Sequence, residues 1–278
     1  MKMHLVKFPL VCAALLFGSV LSFAQSKPPV VISSSSDSVK KAAVIKPKVK
    51  RPKPISKELS GGLRLNTDGW SVFVERGTVK SEERESDYYY NLRYILVELS
   101  EKKHGKEMKS TGSGGGGTES PQSYIFGKTN NFYTFKLGYG GRRMIAGKPD
   151  PGTVSIHWIN NGGLSIGMLK PYYLLVNSGE SIKFTDDTRG DFLSGFNVIG
   201  AAGFGEGLGE TKVIPGLHFR SGLHFDFAPR DKKKTKLALE TGITGELYTQ
   251  KIELMANQKA VTYFVNLYLS FQFGRRWE

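Results

Sequence analysis

Residues 261–274 read VTYFVNLYLSFQFG, and apolar side chains occupy every second position of this stretch. Strict alternation of this kind predicts a β-strand whose two faces meet different surroundings. The stretch is longer than the usual strand of about 5–6 residues and carries no charge, which is typical of a membrane-spanning barrel strand. From this stretch alone, a strand of a soluble β-sandwich is the alternative. The apolar row comprises Val261, Tyr263, Val265, Leu267, Leu269, Phe271 and Phe273.

The composition limits how this chain can cross a membrane. Only 39% of its residues are hydrophobic, and it contains 33 glycines. Beyond the N-terminus, no apolar run approaches the roughly 20 residues of a transmembrane helix. We therefore exclude a helical membrane protein, whereas a barrel is compatible because its lumen residues alternate with apolar ones.

The N-terminus has the pattern of a secretory signal. Two lysines precede an apolar core at residues 10–21, and residues 22–24 (SFA) form a small-x-small cleavage site. We predict a signal peptide at residues 1–24, cleaved after Ala24. The only cysteine, Cys12, lies in the apolar core, so the mature chain is expected to have no disulfide or thiolate chemistry.

Residues 25–57 form a low-complexity segment rich in serine, proline and lysine. Nine Lys/Arg face one Asp in residues 26–57, whereas 28 basic and 24 acidic residues nearly balance from residue 58 onward. Prolines and like charges cannot build a core, which predicts a disordered or extended linker of roughly 100 Å reach. It is interpreted as a periplasmic tether for anionic lipid, cell-wall polymer or an acidic protein, or as a solvated spacer. Its basic tail comprises Lys46, Lys48, Lys50, Arg51 and Lys53.

Residues 58–278 are predicted to form an all-β domain, an antiparallel transmembrane β-barrel of eight strands. Residues 160–163 (NNGG) are expected to bend one long strand, although a hairpin there would give nine strands. In segment 88–100 both faces are partly apolar, so its lipid-facing side is not assigned. The expected strands are 59–66, 70–75, 88–100, 131–143, 154–168, 213–227, 236–248 and 261–274.

The connections are expected to be longer at one end of the barrel. The first strand should close the barrel against 261–274. Segment 101–123 is interpreted as a mobile loop, and segment 172–209 could carry a short helix over the barrel mouth. A soluble lipocalin-like barrel, with its apolar residues inside, is the alternative architecture. We expect periplasmic turns near 78–88, 146–152 and 229–235, and outer loops at 66–69, 101–130, 176–211 and 250–259.

Charged residues of the sixth and seventh strands are predicted to point into the lumen. A charge stranded in low dielectric costs several kcal/mol, so these residues must be paired. Side chains just fill an eight-stranded barrel, which favours a salt-bridged plug; titrating histidines or a small-ligand site are the alternatives. The predicted lumen charge network comprises His218, Arg220, His224, Asp226, Lys236, Glu240 and Glu246.

Other functions have weaker support in the sequence. A lipid A-modifying enzyme would use His157, His218 or His224 as base and Glu240 or Asp226 as its orienting partner. No serine occupies a recognisable nucleophile motif, so no catalytic residue is assigned.

Two histidines six residues apart are separated by roughly 20 Å along a strand, so no metal or cofactor is expected. Nucleic acid is not expected either, because the basic stretch lacks aromatic residues. A wide pore needs about 16–18 strands, which leaves a narrow gated channel as a further alternative.

Five short segments together resemble the uncharacterised outer-membrane β-barrel proteins of Bacteroidota. The resemblance covers about residues 58–274 and implies the fold and an outer-membrane location, without catalytic residues to carry over. The segments are 66–70 (NTDGW), 127–131 (GKTNN), 162–164 (GGL), 169–174 (LKPYYL) and 215–218 (PGLH).

The favoured function is a non-enzymatic anchor or accessory subunit of an envelope complex. Its barrel would lie in the cell outer membrane, its linker in the periplasm and its long loops outside. Expected partners are outer-membrane lipid and lipopolysaccharide, the barrel-insertion machinery, and another outer-membrane or periplasmic protein that binds the basic tail. Phe271 and Phe273 suit the insertion machinery, which reads aromatic residues of a final strand, although the chain continues to Glu278.

Overall fold

A computed structural model describes the chain from residue 56 onward, with short gaps. The described residues are 56–84, 90–113, 120, 122–147, 154–195, 197–227 and 235–277. The predicted signal peptide, nearly all of the linker and the basic tail Lys46, Lys48, Lys50, Arg51 and Lys53 lie outside them. Lys57, which the sequence assigned to the linker, already begins the first strand.

The described residues form thirteen strands, eight of which close into an antiparallel barrel in the order β1-β2-β3-β6-β7-β11-β12-β13. This confirms the eight-stranded fold. No described helix is long and apolar enough to span a bilayer. The strands are β1 (Lys57–Asn66), β2 (Gly69–Arg84), β3 (Tyr90–Lys102), β4 (Lys109–Thr111), β5 (Ser123–Ile125), β6 (Asn130–Ala146), β7 (Ser155–Pro171), β8 (Tyr173–Val176), β9 (Ser181–Lys183), β10 (Val198–Ala201), β11 (Lys212–Asp226), β12 (Thr235–Ile252) and β13 (Val261–Trp277).

The first and last strands close the barrel, as expected. Leu63 pairs with Phe271 across this seam, and β1 pairs with β2 on its other side. Residues 67 and 68 connect β1 to β2, and Gly69 follows them with φ of 151°. A Cβ at Gly69 would lie 2.0 Å from the carbonyl oxygen of Glu101, so only glycine fits this tight turn.

Strand β7 runs through the NNGG segment without turning, which rules out the nine-stranded reading. Gly163 pairs with Gly138 on one side and with His218 on the other, so hydrogen-bonded register is kept through this segment. A Cβ at Gly163 would approach the carbonyl oxygen of Leu137 to 2.1 Å. Glycine therefore permits close packing of β6 and β7 here instead of a hairpin.

The barrel wall is apolar outside and charged inside. Leu164 and Phe273 are 62% and 64% exposed, whereas Arg64 and Glu240 are 1% and 0% exposed. This is the polarity of a transmembrane barrel, and the lipocalin-like alternative is wrong. On β3, whose faces the sequence left unassigned, Ile95, Val97 and Leu99 point outward, and Leu92, Tyr94, Leu96 and Glu98 point inward.

The four connections at one end of the barrel, the loop end, include the two longest. They comprise residues 67–68, 103–129, 172–211 and 253–260. At the opposite end, the turn end, the connections run through residues 85–89, 148–153 and 228–234, which lie outside the described residues. The asymmetry in length matches the expected pattern of loops and turns.

The described parts of residues 103–129 and 172–201 fold together into a small layer at the loop end, which we call the cap. Hairpin β4–β5 lies beside the sheet β10-β8-β9, because Ser113 N donates to Val198 O at 2.9 Å and Gln122 N to Ile199 O at 2.9 Å. The expected short helix is α1 (Arg189–Ser194). The described part of segment 101–123 is therefore not an irregular loop, since it ends β3 and contains β4. The buried core of the cap comprises Tyr124, Leu174, Phe192 and Val198.

Candidate functional site

The lumen contains the main concentration of buried charge among the described residues. Seven basic and six acidic side chains point into it from every barrel strand except β7, and each is less than a tenth exposed. Half-buried Asp68 at the loop end brings the acids to seven. The basic residues are Arg64, Lys102, Lys136, Arg142, Arg220, Lys236 and Arg276, and the buried acids are Glu58, Glu75, Glu98, Asp226, Glu240 and Glu246.

At the turn end, Glu58 on β1 accepts three cationic donors from three other strands. Arg142 Nη1 lies 2.5 Å, and Lys236 Nζ 2.7 Å, from Glu58 Oε1. Arg276 Nε donates to Glu58 Oε2 at 2.9 Å, and its Nη2 pairs with Asp226. Glu58 thereby links β1, β6, β12 and β13 across the lumen.

Midway along the lumen, two arginines share the carboxylates of three strands. Arg220 Nη2 donates to Glu75 Oε1 at 2.9 Å, and Arg220 Nη1 lies 3.7 Å from Glu240 Oε1. Arg64 pairs with Glu98, and Arg64 Nη2 lies 3.7 Å from Glu240 Oε1. The position of Glu240 between both guanidinium groups couples β12 to β1 and β11.

Nearer the loop end, two lysines hold Glu246. Lys136 Nζ and Lys102 Nζ lie 2.7 Å and 3.0 Å from Glu246 Oε1. Lys102 also donates to Asp68 Oδ2 at 2.7 Å, and Tyr248 Oη donates to Glu246 Oε2 at 2.6 Å. Together the three clusters give each buried lumen charge an opposite partner, which the low dielectric of the interior requires.

The histidines occupy two separate places in the lumen. His224 Nδ1 lies 3.2 Å from Glu240 Oε2, and its ring centroid is 5.9 Å from that of His157. His218 Nδ1 lies 3.1 Å from Ser165 Oγ, and its Nε2 lies 3.1 Å from Asn161 Oδ1. Among the described residues, no group of His, Cys, Asp and Glu is arranged to hold a metal ion.

The loop end of the lumen is filled by aromatic rings. The ring centroids of Phe132 and Tyr248 are 5.1 Å apart, and those of Phe132 and Phe264 are 5.7 Å apart. Glycines on neighbouring strands make room for them: a Cβ at Gly167 would lie 2.7 Å from Phe132, and one at Gly216 would lie 2.6 Å from Tyr248. This aromatic cluster packs with Ile252, Leu254 and Met255 into one buried hydrophobic core at the loop end.

All seven residues of the predicted lumen network lie inside the barrel, but not in one cluster. Asp226 and Lys236 belong to the turn end, Arg220, His224 and Glu240 to the middle, and Glu246 to the loop end; His218 contacts Ser165 instead.

Sequence reasoning missed eight further lumen charges, although some of them occupy the polar position of an alternating strand. Arg64 between two leucines and Lys136 between phenylalanine and leucine show that signal clearly. The missed residues are Glu58, Arg64, Glu75, Glu98, Lys102, Lys136, Arg142 and Arg276.

Comparison with protein-family models and with curated protein sequences gave no match. Among solved structures, the chain is similar to the following three proteins at low identity. Neisserial surface protein A shares 9% identity at a TM-score of 0.34, with 80% of this chain and 95% of that chain covered. Ail of Yersinia pestis shares 8% identity at a TM-score of 0.34, with 81% of this chain and 100% of that chain covered. The N-terminal β-barrel domain of Pseudomonas aeruginosa OprF shares 8% identity at a TM-score of 0.32, with 81% of this chain and 98% of that chain covered. These values assign neither a family nor a function, and the barrel assignment rests on the strand pairing described above.

Proposed function

We propose that this chain is a non-enzymatic integral protein of the cell outer membrane, whose barrel anchors the cap on the outer side. The observation that supports this role most directly is the inverted polarity of the wall. Apolar side chains are exposed on every barrel strand, while the lumen is occupied by ion pairs. Such a wall is stable only when lipid covers the outside.

The dimensions of the barrel suit this role. Its strands are 10 to 18 residues long, and about 9–11 residues of a tilted strand cross a bilayer. Closure of β1 on β13 leaves no unpaired strand edge in the wall, which a lipid environment demands because hydrocarbon offers backbone groups no hydrogen-bond partner.

The cap supports a role in contacting a partner. Its two long segments share one hydrophobic core, and α1 is joined to the loop at 253–260 because Arg189 Nη2 donates to Asn257 Oδ1 at 2.8 Å. An ordered surface loses less conformational entropy on binding than separate flexible loops do. We infer that the cap presents this surface to another envelope component, with the chain acting as an accessory subunit.

The N-terminal tail would act on the opposite side of the membrane. Strand β1 begins at Lys57, at the turn end, so a preceding linker would leave the barrel there. With the cap outside, Lys46, Lys48, Lys50, Arg51 and Lys53 would face the periplasm. Anionic lipid or an acidic periplasmic protein fits their charge.

The burial of the histidine and carboxylate groups argues for a non-enzymatic role. His224 is 1% exposed, and Glu240 is fully buried. Both lie inside the wall, on the opposite side from the lipid that a lipid A-modifying enzyme would act on. A general base must come within hydrogen-bond distance of its substrate, which this position prevents.

Purification in mild detergent tests the proposed role. We expect the mature chain to give a heat-modifiable band and to copurify with a stoichiometric partner. Phe192→Ala, which removes a fully buried ring from the cap core, should reduce copurification without abolishing the gel shift. A chain that is soluble and shows no gel shift would contradict the membrane barrel.

The alternatives have their own measurements. In a deletion strain, altered lipid A that is restored by the wild-type gene but not by His224→Ala would establish the enzyme instead. Single-channel currents through the purified chain in planar bilayers would favour the gated channel. We expect neither, because paired charges and aromatic rings fill the lumen.

A further inference from the structure

Residues 202–211 fold back from the cap onto the outside of the barrel wall and enclose a pocket at the loop end. The pocket has a volume of about 350 Å³, within the range of small-molecule sites. Its inner wall is a row of side chains on four neighbouring strands, since Trp70 pairs with Glu101, Glu101 with Tyr133, and Tyr133 with Met168. The pocket therefore opens on the same face of the wall as the apolar band.

The outer wall of the pocket consists of apolar side chains that are exposed unless a ligand occupies the pocket. Phe204 and Leu208 line it and are 69% and 52% exposed. The ring of Phe204 packs edge-on against Tyr133, with centroids 6.3 Å apart. Two large apolar side chains on a short loop, placed over a lipid-facing groove, indicate an apolar occupant between them.

Lys170 supplies the cation of this pocket. It occupies an outward position on β7, yet it is only 5% exposed because the folded loop covers it. Its ammonium lies 4.7 Å from the ring centroid of Phe204. Within the described chain, no carboxylate forms an ion pair with Lys170, and Glu206 acts on it only at longer range.

The other charge in the pocket is already satisfied. Glu101 accepts a hydrogen bond from Trp70 Nε1 at 2.8 Å and lies 3.8 Å from Lys103 Nζ. Lys170 thus differs from the lumen lysines, each of which contacts at least one carboxylate. A covered ammonium without a carboxylate partner favours an anionic group as its ligand.

We propose that this pocket binds a phosphorylated membrane lipid, with an acyl chain between Phe204, Leu208 and the wall, and with the phosphate on Lys170. The inference rests on the proposed function, because the lipid surrounds the pocket in the cell when the barrel lies in a bilayer. It adds a defined site and a ligand class to that function. The surrounding leaflet is the source of the lipid, since the pocket opens toward the lipid-facing wall.

The matched probes are phosphatidic acid and diacylglycerol with brominated acyl chains, which differ only in the phosphate. Bromine quenches tryptophan at short range, and Trp70 lines the pocket. Trp158 and Trp277 would be changed to phenylalanine so that Trp70 reports alone, in the full mature chain held in neutral detergent. We expect saturable quenching by phosphatidic acid at about tenfold lower concentration than by diacylglycerol.

Two lysine variants separate the pocket from general charge attraction. Lys170→Gln should weaken the binding of phosphatidic acid to the level of diacylglycerol binding. Lys170→Arg should retain the preference for phosphatidic acid over diacylglycerol. Lys212→Gln, at an exposed lysine on β11 outside the pocket lining, should change nothing. Equal effects of the two glutamine variants, or none from Lys170→Gln, would overturn the assignment.

Phe204→Ala tests the acyl chain separately, because loss of that wall should weaken both lipids. A heat-modifiable band and incorporation into vesicles are checked for every variant. If these persist and quenching does not saturate, the lipid site is wrong while the proposed membrane role stands. If the wild-type chain fails to enter vesicles, the proposed function itself fails.

Discussion

Arg64 on β1 and Glu98 on β3 form an ion pair although β2 lies between their strands. The guanidinium reaches across β2 by passing over the ring of Phe73, 4.3 Å from its centroid. The pair thus joins second neighbours in the wall through the lumen, in addition to the backbone hydrogen bonds that join adjacent strands. Lys136 on β6 extends the same link, since its Nζ lies 3.0 Å from Glu98 Oε1.

Removal of Arg64 should therefore destabilise the barrel strongly. Arg64→Met leaves Glu98 with Lys136 at 3.0 Å and with Arg220 at the longer distance of 4.0 Å, and loss of one partner from a buried pair costs about 3–5 kcal/mol. Urea unfolding in lipid vesicles, followed by the heat-modifiable band, measures the free energy of unfolding. Arg76→Met, at an exposed outer position, should change it by no more than about 0.5 kcal/mol.

The double variant Arg64→Met/Glu98→Gln sharpens this prediction. Neutralising both partners removes the unpaired carboxylate, so the double variant should be more stable than Arg64→Met alone. Lys136 retains Glu246 as its partner at 2.7 Å. If the double variant loses as much free energy of unfolding as the two single variants together, Arg64 and Glu98 do not form a direct pair.

Gly216→Ala should destabilise the aromatic cluster at the loop end. The added methyl group would lie 2.6 Å from Tyr248 Cδ1 and 2.5 Å from the carbonyl oxygen of Leu247, and overpacking of this kind costs about 1–3 kcal/mol. Gly245→Ala is the matched control, because a Cβ there meets nothing within 4 Å. Comparable unfolding midpoints for the two variants would show that the packing at Tyr248 is looser than described.

Phe192→Ala should loosen the cap while leaving the barrel intact. Phe192 is fully buried, and its ring packs edge-on against Phe184 with centroids 5.5 Å apart. Truncation of a buried phenylalanine costs about 3–5 kcal/mol, more than a small cap core can lose without opening. Limited proteolysis should cut the cap of this variant rapidly, whereas the gel shift persists. Met108→Ala, at a side chain 73% exposed, should be cut no faster than the wild type.

The loop that covers the lipid pocket should loosen in acid. Lys183 Nζ donates to Glu210 Oε2 at 2.5 Å, and Tyr173 Oη donates to Glu210 Oε1 at 2.8 Å. These hydrogen bonds lower the pKa of Glu210 below its ordinary value. Because the folded-state pKa of Glu210 is depressed, ionised Glu210 stabilises the loop fully above the ordinary carboxyl pKa. This stabilisation is lost as the pH falls through the lowered pKa.

Hydrogen exchange of residues 207–211 checks this pH dependence. Protection should decrease on acidification in the wild type, and added salt should weaken it because the pair is partly exposed. Glu210→Gln should remove the acid-dependent step while leaving the barrel amides unchanged. Identical acid profiles for the wild type and Glu210→Gln would exclude Glu210 as the titrating group.

The alternation in residues 261–274 was sufficient to predict the last strand and its outward face. Side-chain direction in a strand alternates with period two, so the same local rule placed Leu217, Phe219, His218 and His224 on their observed sides. It also predicted eight strands and the closing pair of β1 and β13. Where both faces of a strand were apolar, as on β3, the rule assigned no side, because Leu92, Tyr94 and Leu96 pack with Phe73 inside the lumen.

Which charges meet inside the barrel depended on the tertiary structure. His218 and Glu246 are cross-strand partners in register, yet Glu246 binds Lys136 and Lys102 from the other side of the lumen. Period-two alternation places a charge inside, but its partner is set by strand tilt, by the stagger between strands and by closure. The same holds for the cap and the lipid pocket, whose residues come from segments distant in sequence. The chain by itself determined the two faces of the wall, and only the closed barrel determined which residues lie opposite one another across it.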